Sequence, residues 1–455
     1  MISSARRRVL WFILFVALVL TACEAVEATP APRATWTPRA ITTVVIAPEP
    51  TVPPTATPES SPTPLVVAKS NAPVSTGTNP PAATAPGATA PGSAPKPAGA
   101  IPQVPVNDPL LPKFAAFPPL PIPARPANLN PLTGLQADPA MLQRRPIVAR
   151  IGNDQKVRTS FWQAGTNSAD LVFEELIDIL GSAYAQTRYS AVYLSNDPPL
   201  IGPIRSGRII NFQMVAMLDG ALANAGASNG TRWLFSQSPM INLDEYFNMP
   251  AYCYNKSHGY QGRLYTTAPR IREWLQKKGW EASVPLYGFT FAERVTGGQP
   301  IASVGMSKLP WPSWSQATWR YDAASGRYLR FNSGEPQMDN SYTVTAKWGN
   351  GADCIPTSKE VMTQVSTANV VVLYARHEKT SIIEDSNNAV SVYIPLTGQG
   401  DAQIFRDGVM LAGKWQRRSE QEFFKFTDAN GNVIPLKPGN TWFEIVPVGY
   451  QLDLK

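Results

Sequence analysis

Residues 168–180 read SADLVFEELIDIL, and this apolar run is the first evidence for the fold class. A run rich in Val, Leu, Ile and Phe predicts a buried strand. Residues 145–153 (RPIVARIGN) predict another strand for the same reason. Residues 188–195 (RYSAVYLS) predict a third, because apolar and polar residues alternate there with the period of two that is typical of strands.

Two helices are predicted beside these strands. The turn at residues 201–208 (IGPIRSGR) is followed by apolar residues at helical spacing, and Asp219-Gly220 marks the stop: Ile210, Met214, Met217 and Leu218. Residues 269–280 (PRIREWLQKKGW) predict a helix that starts with Pro269 and ends at Gly279. Strands and helices together predict an α/β (α+β) domain over residues 128–290.

The last part of the chain carries the signals of strands alone. Residues 317–334 (ATWRYDAASGRYLRFNSG) predict a hairpin, and two more are predicted to turn at Asp407-Gly408 and Asn430-Gly431. We therefore expect a β-rich C-terminal domain over residues 317–455. The boundary is expected in the Gly- and Pro-rich stretch 284–316.

The N-terminus is typical of an exported bacterial lipoprotein. Three arginines (6–8) precede a short uncharged apolar run, which ends in Leu20-Thr21-Ala22-Cys23. The run is too short to span a bilayer, which takes about 20 residues, and it resembles a cleaved signal over residues 1–22. The LTAC sequence resembles a lipobox, after which Cys23 is diacylated. The lipid bilayer is thus the first expected partner, and the expected location is the extracytoplasmic face of the cell membrane.

Residues 23–127 are predicted to be a disordered tether rich in Pro, Thr and Ala. This stretch holds 26 of the 45 prolines of the chain. Proline cannot donate to a strand ladder, and so polar a segment buries too little apolar surface to fold. The folded part is therefore expected to stand away from the membrane.

The charge of the folded part excludes a nucleic-acid partner. The chain has a formal net charge of +7, of which +3 leaves with the signal and +1 lies in the tether. The remaining +3 over residues 128–455 is an ordinary surface balance. With only His258 and His377 in the chain, no metal site is expected, and no cofactor is expected either. Cys253 and Cys354 are far apart in sequence, and both a disulfide and two free thiols remain open.

Arg205, Ser206 and Arg208 form the candidate binding motif. Ser206 is a plausible N-cap for the helix that follows, and helix N-termini with nearby guanidinium groups bind anions. The alternative is structural: an arginine paired with Asp170 or Glu174, with the other solvated.

The acidic residues of the predicted strand within residues 168–180 offer a second candidate site. Asp170, Glu174 and Asp178 share one face of a strand, and paired carboxylates can act as acid and base or bind a cation. The structural alternative is that one of these carboxylates forms a salt bridge with Arg205 or Arg188 at the end of the sheet. Glu174 is the best single candidate because it interrupts an apolar run.

Two further sets of residues allow either a functional or a structural interpretation. His258 lies five residues after Cys253, but spacing alone does not form a nucleophile pair, and a loop histidine facing a cleft is the alternative. Four aromatic residues lie close together and either stack on sugar rings or form the β-domain core: Trp311, Trp314, Trp319 and Tyr321.

Ordered motifs in both parts of the chain resemble the YerB-like family of bacterial lipoproteins, which carries the domain of unknown function 3048 and a separate C-terminal part. The motifs are NPLTGL, SADLVFEEL, IGPIRSGR, LYTTAPRI, WRYDAASGRYLR and the closing GKWQR and FTDANGNVIPLKPGNTWFEIVP. The resemblance implies an envelope lipoprotein with an α/β domain followed by a β-rich one. It implies no activity.

The chain departs from the family pattern at two polar positions. His258-Gly259 stands where the family tends to have His-Asn, and Gln337-Met338-Asp339 stands where it tends to have His-Val-Asp. These departures disfavour a catalytic role for the histidines.

From these patterns we expect a non-catalytic, membrane-anchored envelope lipoprotein that binds an anionic or glycan wall component such as peptidoglycan. Its ligand would contact Glu174, Arg205, Ser206, Arg208 and His258. The alternative is an envelope hydrolase or transferase that uses Glu174, the arginines and His258 in one cleft, which requires these groups within hydrogen-bond reach of the ligand.

Overall fold

The computed structural model describes residues 106–108, 110–111, 121–178, 186–349 and 351–455. The predicted signal, Cys23 and most of the predicted tether lie outside the described residues. Within the described part, no helix is long and apolar enough to cross a membrane.

The strands, numbered in chain order, are β1 Ile147–Ile151, β2 Leu171–Leu176, β3 Thr187–Tyr193, β4 Ala221–Asn224, β5 Ile241–Asp244, β6 Cys253–Tyr254, β7 Leu264–Tyr265, β8 Gln299–Pro300, β9 Ser303–Gly305, β10 Ala317–Asp322, β11 Arg327–Asn332, β12 Glu335–Pro336, β13 Met338–Ser341, β14 Val344–Thr345, β15 Ile355–Pro356, β16 Val361–Gln364, β17 Ser366–Thr367, β18 Asn369–Ala375, β19 Glu378–Ile383, β20 Val390–Tyr393, β21 Gly398–Arg406, β22 Val409–Arg417, β23 Lys425–Thr427, β24 Thr441–Pro447 and β25 Asp453–Leu454. The α-helices are α1 Pro139–Leu142, α2 Ile210–Leu218, α3 Asn229–Ser236, α4 Gly259–Gly262 and α5 Ala268–Lys278. A π-helix spans Val157–Phe161, and short 3₁₀ helices span Thr166–Ser168, Met249–Ala251, Lys256–His258 and Ser313–Ser315.

One mixed sheet of eleven strands runs through both halves of the sequence. Its order is β23-β22-β21-β18-β24-β2-β3-β1-β4-β5, and β8 pairs with β22. The joint between the halves is β24, which runs parallel to β2 on one side and to β18 on the other. Both faces of these central strands are buried, and their sequences are mostly apolar, with Glu174, Glu175 and Glu444 as buried exceptions.

A layer covers each face of this sheet. On one face lie α5 and the smaller sheet β12-β11-β10-β9-β25, in which β17 also pairs with β11, and their apolar side chains join those of Ile147, Val172 and Trp442. Helix α2 lies on the other face, where it packs with Val148 and Phe173. The predicted fold class, an α/β first part followed by a β-rich second part, is confirmed.

The predicted helices are present, and local signals explain their ends. In α5 the Thr267 hydroxyl accepts a hydrogen bond from the Arg270 amide, and Gly279 ends the helix in the left-handed region at φ 68°. Helix α2 ends at Asp219, as expected, but the predicted N-cap at Ser206 is wrong. The helix begins only at Ile210, and the Ser206 hydroxyl donates instead to the carbonyl of Ala225 at 3.2 Å.

Two of the three predicted hairpins form as expected. β10 pairs with β11, and β21 pairs with β22 around Asp407 and Gly408, which both have positive φ. The third shrinks to a single bridge between Thr427 and Val433. The turn at Asn430-Gly431 is closed by hydrogen bonds from the Asp428 amide to the Asn432 carbonyl and from the Ile434 amide to the Phe426 carbonyl, both 2.9 Å. Residues 441–447, farther along, pair with β2 and β18.

Parts of the predicted tether contact the folded core. The Asp108 carboxylate accepts a hydrogen bond from the Ser381 amide at 2.7 Å, and Val106 and Leu111 pack beside Ile382. Arg125 donates to the carbonyl of Tyr287. The packed chain therefore begins upstream of residue 128 at these positions.

Candidate functional site

The IGPIRSGR loop is tied to the sheet on two sides. Ile204 bridges to Ile151 of β1, and Ile201 bridges to Thr266. Gly202, at φ 153°, leaves no room for a side chain, because a Cβ would lie 2.6 Å from the ring of Tyr265. The loop is thus a packed connection, and Arg205 and Arg208 project from a fixed backbone.

Both candidate arginines have carboxylate partners within the protein. Arg205 Nε lies 3.1 Å from Asp154. Arg208 lies 3.5 Å from Glu384 and 3.9 Å from Asp178. The partners named from sequence, Asp170 and Glu174, are therefore wrong. An external anion at this loop would compete with these carboxylates for the guanidinium groups.

Two more arginines reach the same loop. Arg150 and Arg188 both donate to the backbone carbonyl of Ser206, at 3.4 and 3.1 Å, and Arg150 also pairs with Glu175. Burial, and then neighbouring arginines, lower the pKa of Arg150 and Arg188. Burial raises the pKa of Asp178 to about 6 despite the arginines beside it. Ser206 thus contributes a carbonyl to a buried charge cluster.

Glu174 lies in a second, fully buried network. Its carboxylate is 2.6 Å from Arg330 and also accepts hydrogen bonds from Thr187 at 2.6 Å and Trp442 at 3.3 Å. Arg330 also lies 3.0 Å from Glu444. Burial alone would lower the pKa of Arg330, but the Glu174 carboxylate and its neighbours outweigh burial and raise it. The arginine therefore stays charged inside the core.

Asp170 is structural. Its carboxylate accepts hydrogen bonds from the Asn130 amide at 2.8 Å and from the Ser195 hydroxyl at 2.5 Å, and also from the Leu194 amide at 2.6 Å. These bonds join the residue before β2 to the residues that follow β3 and to Asn130. Asp170 therefore does not join Glu174 in one acid and base pair.

His258 lies apart from both networks. Its ring stacks on Phe161 with centroids 4.4 Å apart, and its nitrogens contact Tyr265 and Asn255 at 3.0 and 3.1 Å. Burial lowers its pKa. Cys253 forms a disulfide with Cys354, so its sulfur is not a nucleophile in this state. Among the described contacts, His258 and Glu174 share no partner.

A cleft of about 500 Å³ opens between the π-helix segment and the hairpin β11–β12. It is lined by Gln155, Arg158, Thr159, Trp162, Trp314, Asn332, Ser333, Glu335, Pro336, Gln337 and Met338. Trp162 and Trp314 are both partly exposed. This volume is in the range of small-ligand sites, which commonly combine aromatic walls with a few polar groups.

The backbone that presents Trp162 is unusual. This residue follows the π-helix and has φ 59° and ψ 155°, a conformation that L-residues rarely adopt. Its amide donates to the Val157 carbonyl, which holds the turn closed. π-helices and such strained residues concentrate at functional sites.

The predicted aromatic cluster divides between core and cleft. Trp311 and Trp319 are buried in the main core, and Tyr321 packs against it. Trp314, on its own 3₁₀ turn, lines the cleft. The core interpretation is confirmed for Trp311, Trp319 and Tyr321, whereas stacking of Trp314 on a sugar ring stays a prediction.

Sequence reasoning missed Arg158 and Trp162. Their segment has neither strand nor helix periodicity, so no element was predicted for it. A usable signal was an arginine followed within four residues by Phe161 and Trp162 in an otherwise polar loop. In the part of the chain that the structure describes, no three His, Cys, Asp or Glu residues form a group that could hold a metal ion.

Two family models match this chain. Residues 132–281 match the N-terminal domain, and residues 308–443 the C-terminal domain, of the protein of unknown function DUF3048. A protein described as putative lipoprotein YerB, from Bacillus subtilis (strain 168), is 23% identical over 331 residues, which are 70% of this chain and 86% of that protein. The crystal structure of YerB protein from Bacillus subtilis aligns with a TM-score of 0.52 at 21% identity, over 71% of this chain and 99% of that one. The structural likeness establishes the fold.

Proposed function

The chain belongs to the DUF3048 family of proteins of unknown function, and we propose that this member is a membrane-anchored envelope lipoprotein that binds a glycan of the cell wall in the cleft lined by Trp162 and Trp314. The LTAC sequence at Cys23 supports the anchor, as does the relative described as a putative lipoprotein. Arg205 and Arg208, which the sequence suggested as ligand-binding residues, are paired with carboxylates of the protein, and we therefore assign ligand binding to this cleft instead.

The observation that carries the proposal is the pair of partly exposed tryptophans in one cleft. A tryptophan face is large and apolar, and sugar rings present apolar C–H faces that pack on it. Asn332 and Gln337 also line the cleft. The Gln337 amide is bonded within the protein, but the Asn332 Oδ1 makes no hydrogen bond and can accept one from a hydroxyl group. Aromatic walls with adjacent amides favour a sugar over a purely apolar ligand.

Binding is better supported than the alternative of a hydrolase or transferase. Catalysis through Glu174 and His258 would require both groups near one ligand. Glu174 is fully occupied by Arg330, Thr187 and Trp442, whereas His258 contacts Phe161 and Tyr265. Neither residue lines the cleft.

The test is binding of the full chain to an N-acetylglucosamine tetramer, measured by calorimetry. Trp314→Ala should weaken binding about fivefold to tenfold, since an aromatic contact contributes about 1 kcal/mol. The matched control is Trp348→Ala, because Trp348 is also partly buried but packs beside the disulfide and Arg270. Equal affinity of the Trp314→Ala variant and the wild type would contradict the proposal, as would a wild type that binds neither this tetramer nor an acidic form of it.

A further inference from the structure

Arg158 is a buried guanidinium on the wall of the cleft, and part of it has no partner. The residue is 5% exposed. Its Nε makes one long hydrogen bond, 3.4 Å, to the Asn153 carbonyl, and its Nη2 makes no hydrogen bond. Among the described residues, no carboxylate lies within 4.0 Å of it, in contrast to Arg205, Arg208 and Arg330. A buried charged group whose donor makes no hydrogen bond destabilises the folded protein unless a ligand accepts that bond.

The charges around Arg158 do not neutralise it. Glu174, the nearby carboxylate in the buried network, is already paired with Arg330, and Asp154 is paired with Arg205. Burial, and then the Glu174 carboxylate beside it, raise the pKa of Glu444 to about 8. The raised pKa keeps Glu444 largely protonated at neutral pH, and no carboxylate pairs with Arg158, so positive charge is left beside the cleft.

The same wall also presents groups that suit hydroxyls. Asn332 donates through its side-chain amide to Gln337, and its Oδ1 makes no hydrogen bond although it is buried. A ligand hydroxyl at this position would satisfy the oxygen. Glu335 also lines the cleft, but it is exposed, so water screens its charge. Arg158 and Asn332, each with a side-chain polar atom that makes no hydrogen bond, thus line one cleft together with two tryptophans.

We infer that the cleft selects an acidic sugar, whose ring packs on the tryptophans and whose anionic group pairs with Arg158. This inference rests on the proposed glycan-binding role of the cleft. Guanidinium groups bind both carboxylate and phosphate oxygens, so the anionic group has two chemical sources. One is a carboxylate on the sugar, such as a lactyl ether, and the other is a phosphate ester.

The experiment compares three tetrasaccharide probes with the full chain: neutral N-acetylglucosamine, the same backbone with a lactyl carboxylate on alternate sugars, and the same backbone with phosphate esters. The wild type should bind at least one acidic probe about tenfold more tightly than the neutral probe, since one charged hydrogen bond is gained. The acidic probe that binds more tightly shows whether the anionic group is a carboxylate or a phosphate ester. The difference in affinity between the acidic and the neutral probes should decrease as the salt concentration rises.

Arg158→Gln should reduce the preference for the acidic probe over the neutral probe to less than about threefold. Trp314→Ala should weaken all three probes alike. Arg263→Gln is the matched control, because Arg263 is partly buried, contacts Tyr254 and Tyr260, and does not line the cleft. Arg158→Lys, which keeps the charge, should retain part of the preference and serves if the Gln variant does not fold, as judged by circular dichroism.

Failure of this inference is distinct from failure of the proposed function. If the wild type binds neutral and acidic probes equally, or if Arg158→Gln keeps the preference, the acidic-sugar inference is overturned and the glycan cleft stands. If the wild type binds none of the three probes, the glycan cleft itself is overturned, and the inference with it.

Discussion

Glu444→Gln should make the protein more stable near neutral pH, although it removes a partner of a buried arginine. In the parallel register of β2 and β24, Glu174 lies directly beside Glu444, and Arg330 contacts both at 2.6 and 3.0 Å. Burial, and then the Glu174 carboxylate, raise the pKa of Glu444 to about 8. At pH 7 Glu444 is thus held largely as a neutral acid and does not neutralise Arg330.

The sign of the pH dependence follows from this raised pKa. An unfolded glutamate titrates near pH 4.3, so between about pH 4.5 and 8 the folded state holds a proton that the unfolded state has lost. The stabilisation is complete below the unfolded pKa and is lost as pH rises through the folded pKa. At about 1.4 kcal/mol per pH unit, the wild type should lose on the order of 4 kcal/mol from this group between pH 4.5 and 7.5.

Glutamine cannot titrate, and its Oε1 can still accept hydrogen bonds from Trp319 and Arg330, which contact that atom of Glu444 at 2.8 and 3.0 Å. The variant should match the wild type near pH 4.5 and exceed its free energy of unfolding by roughly 3 kcal/mol at pH 7.5. Glu174→Gln is the contrasting control. It removes the ionised partner of Arg330 and should lower stability at pH 7.5, by about 3–5 kcal/mol or less if Glu444 ionises in its place.

The assay is urea unfolding of the full chain at pH 5, 6, 7 and 8, followed by tryptophan fluorescence. Parallel pH profiles for Glu444→Gln and the wild type would refute the reasoning, because they would mean that Glu444 is ionised in the folded protein.

Three further outcomes are expected. Cys354→Ser opens a covalent loop with a sequence separation of 101 and should lower the free energy of unfolding by about 3 kcal/mol, as dithiothreitol should in the wild type; an unchanged melting temperature would contradict this. Thr267→Ala removes the cap of α5 and should cost about 1 kcal/mol in urea unfolding, whereas Thr267→Ser should cost little; equal losses would mean that the hydroxyl is not the cause. Cys23→Ala should prevent acylation and move the protein out of the detergent phase, and unchanged partitioning would reject the predicted anchor.

The candidate site was predictable only in part. An aromatic cluster that includes Trp314 is visible in the sequence, and so is the anomaly of Glu174 in an apolar run. The cleft itself is not, because Arg158 and Trp162 lie in a segment without periodicity. The opposite wall comes from the hairpin β11–β12, far along the chain.

What the sequence by itself determined is local. Apolar runs predicted β1 and β2, alternation with period two predicted β3, and apolar residues at helical spacing predicted α2. Pro269 and Gly279 predicted the ends of α5, and Asp407-Gly408 predicted a hairpin turn. These features depend on interactions within a few residues, so the residues concerned encode them directly.

Only the tertiary structure decided which distant groups meet. The Glu174 and Arg330 side chains, 156 residues apart, form an ion pair because β24 from the second half of the chain joins β2 and the smaller sheet covers that face. Arg205 pairs with Asp154 rather than Asp170, and Cys253 bonds to Cys354, for the same kind of reason. Strand order and register between distant segments depend on the packing of the whole core, and hydrophobic periodicity fixes only which face of each strand is buried.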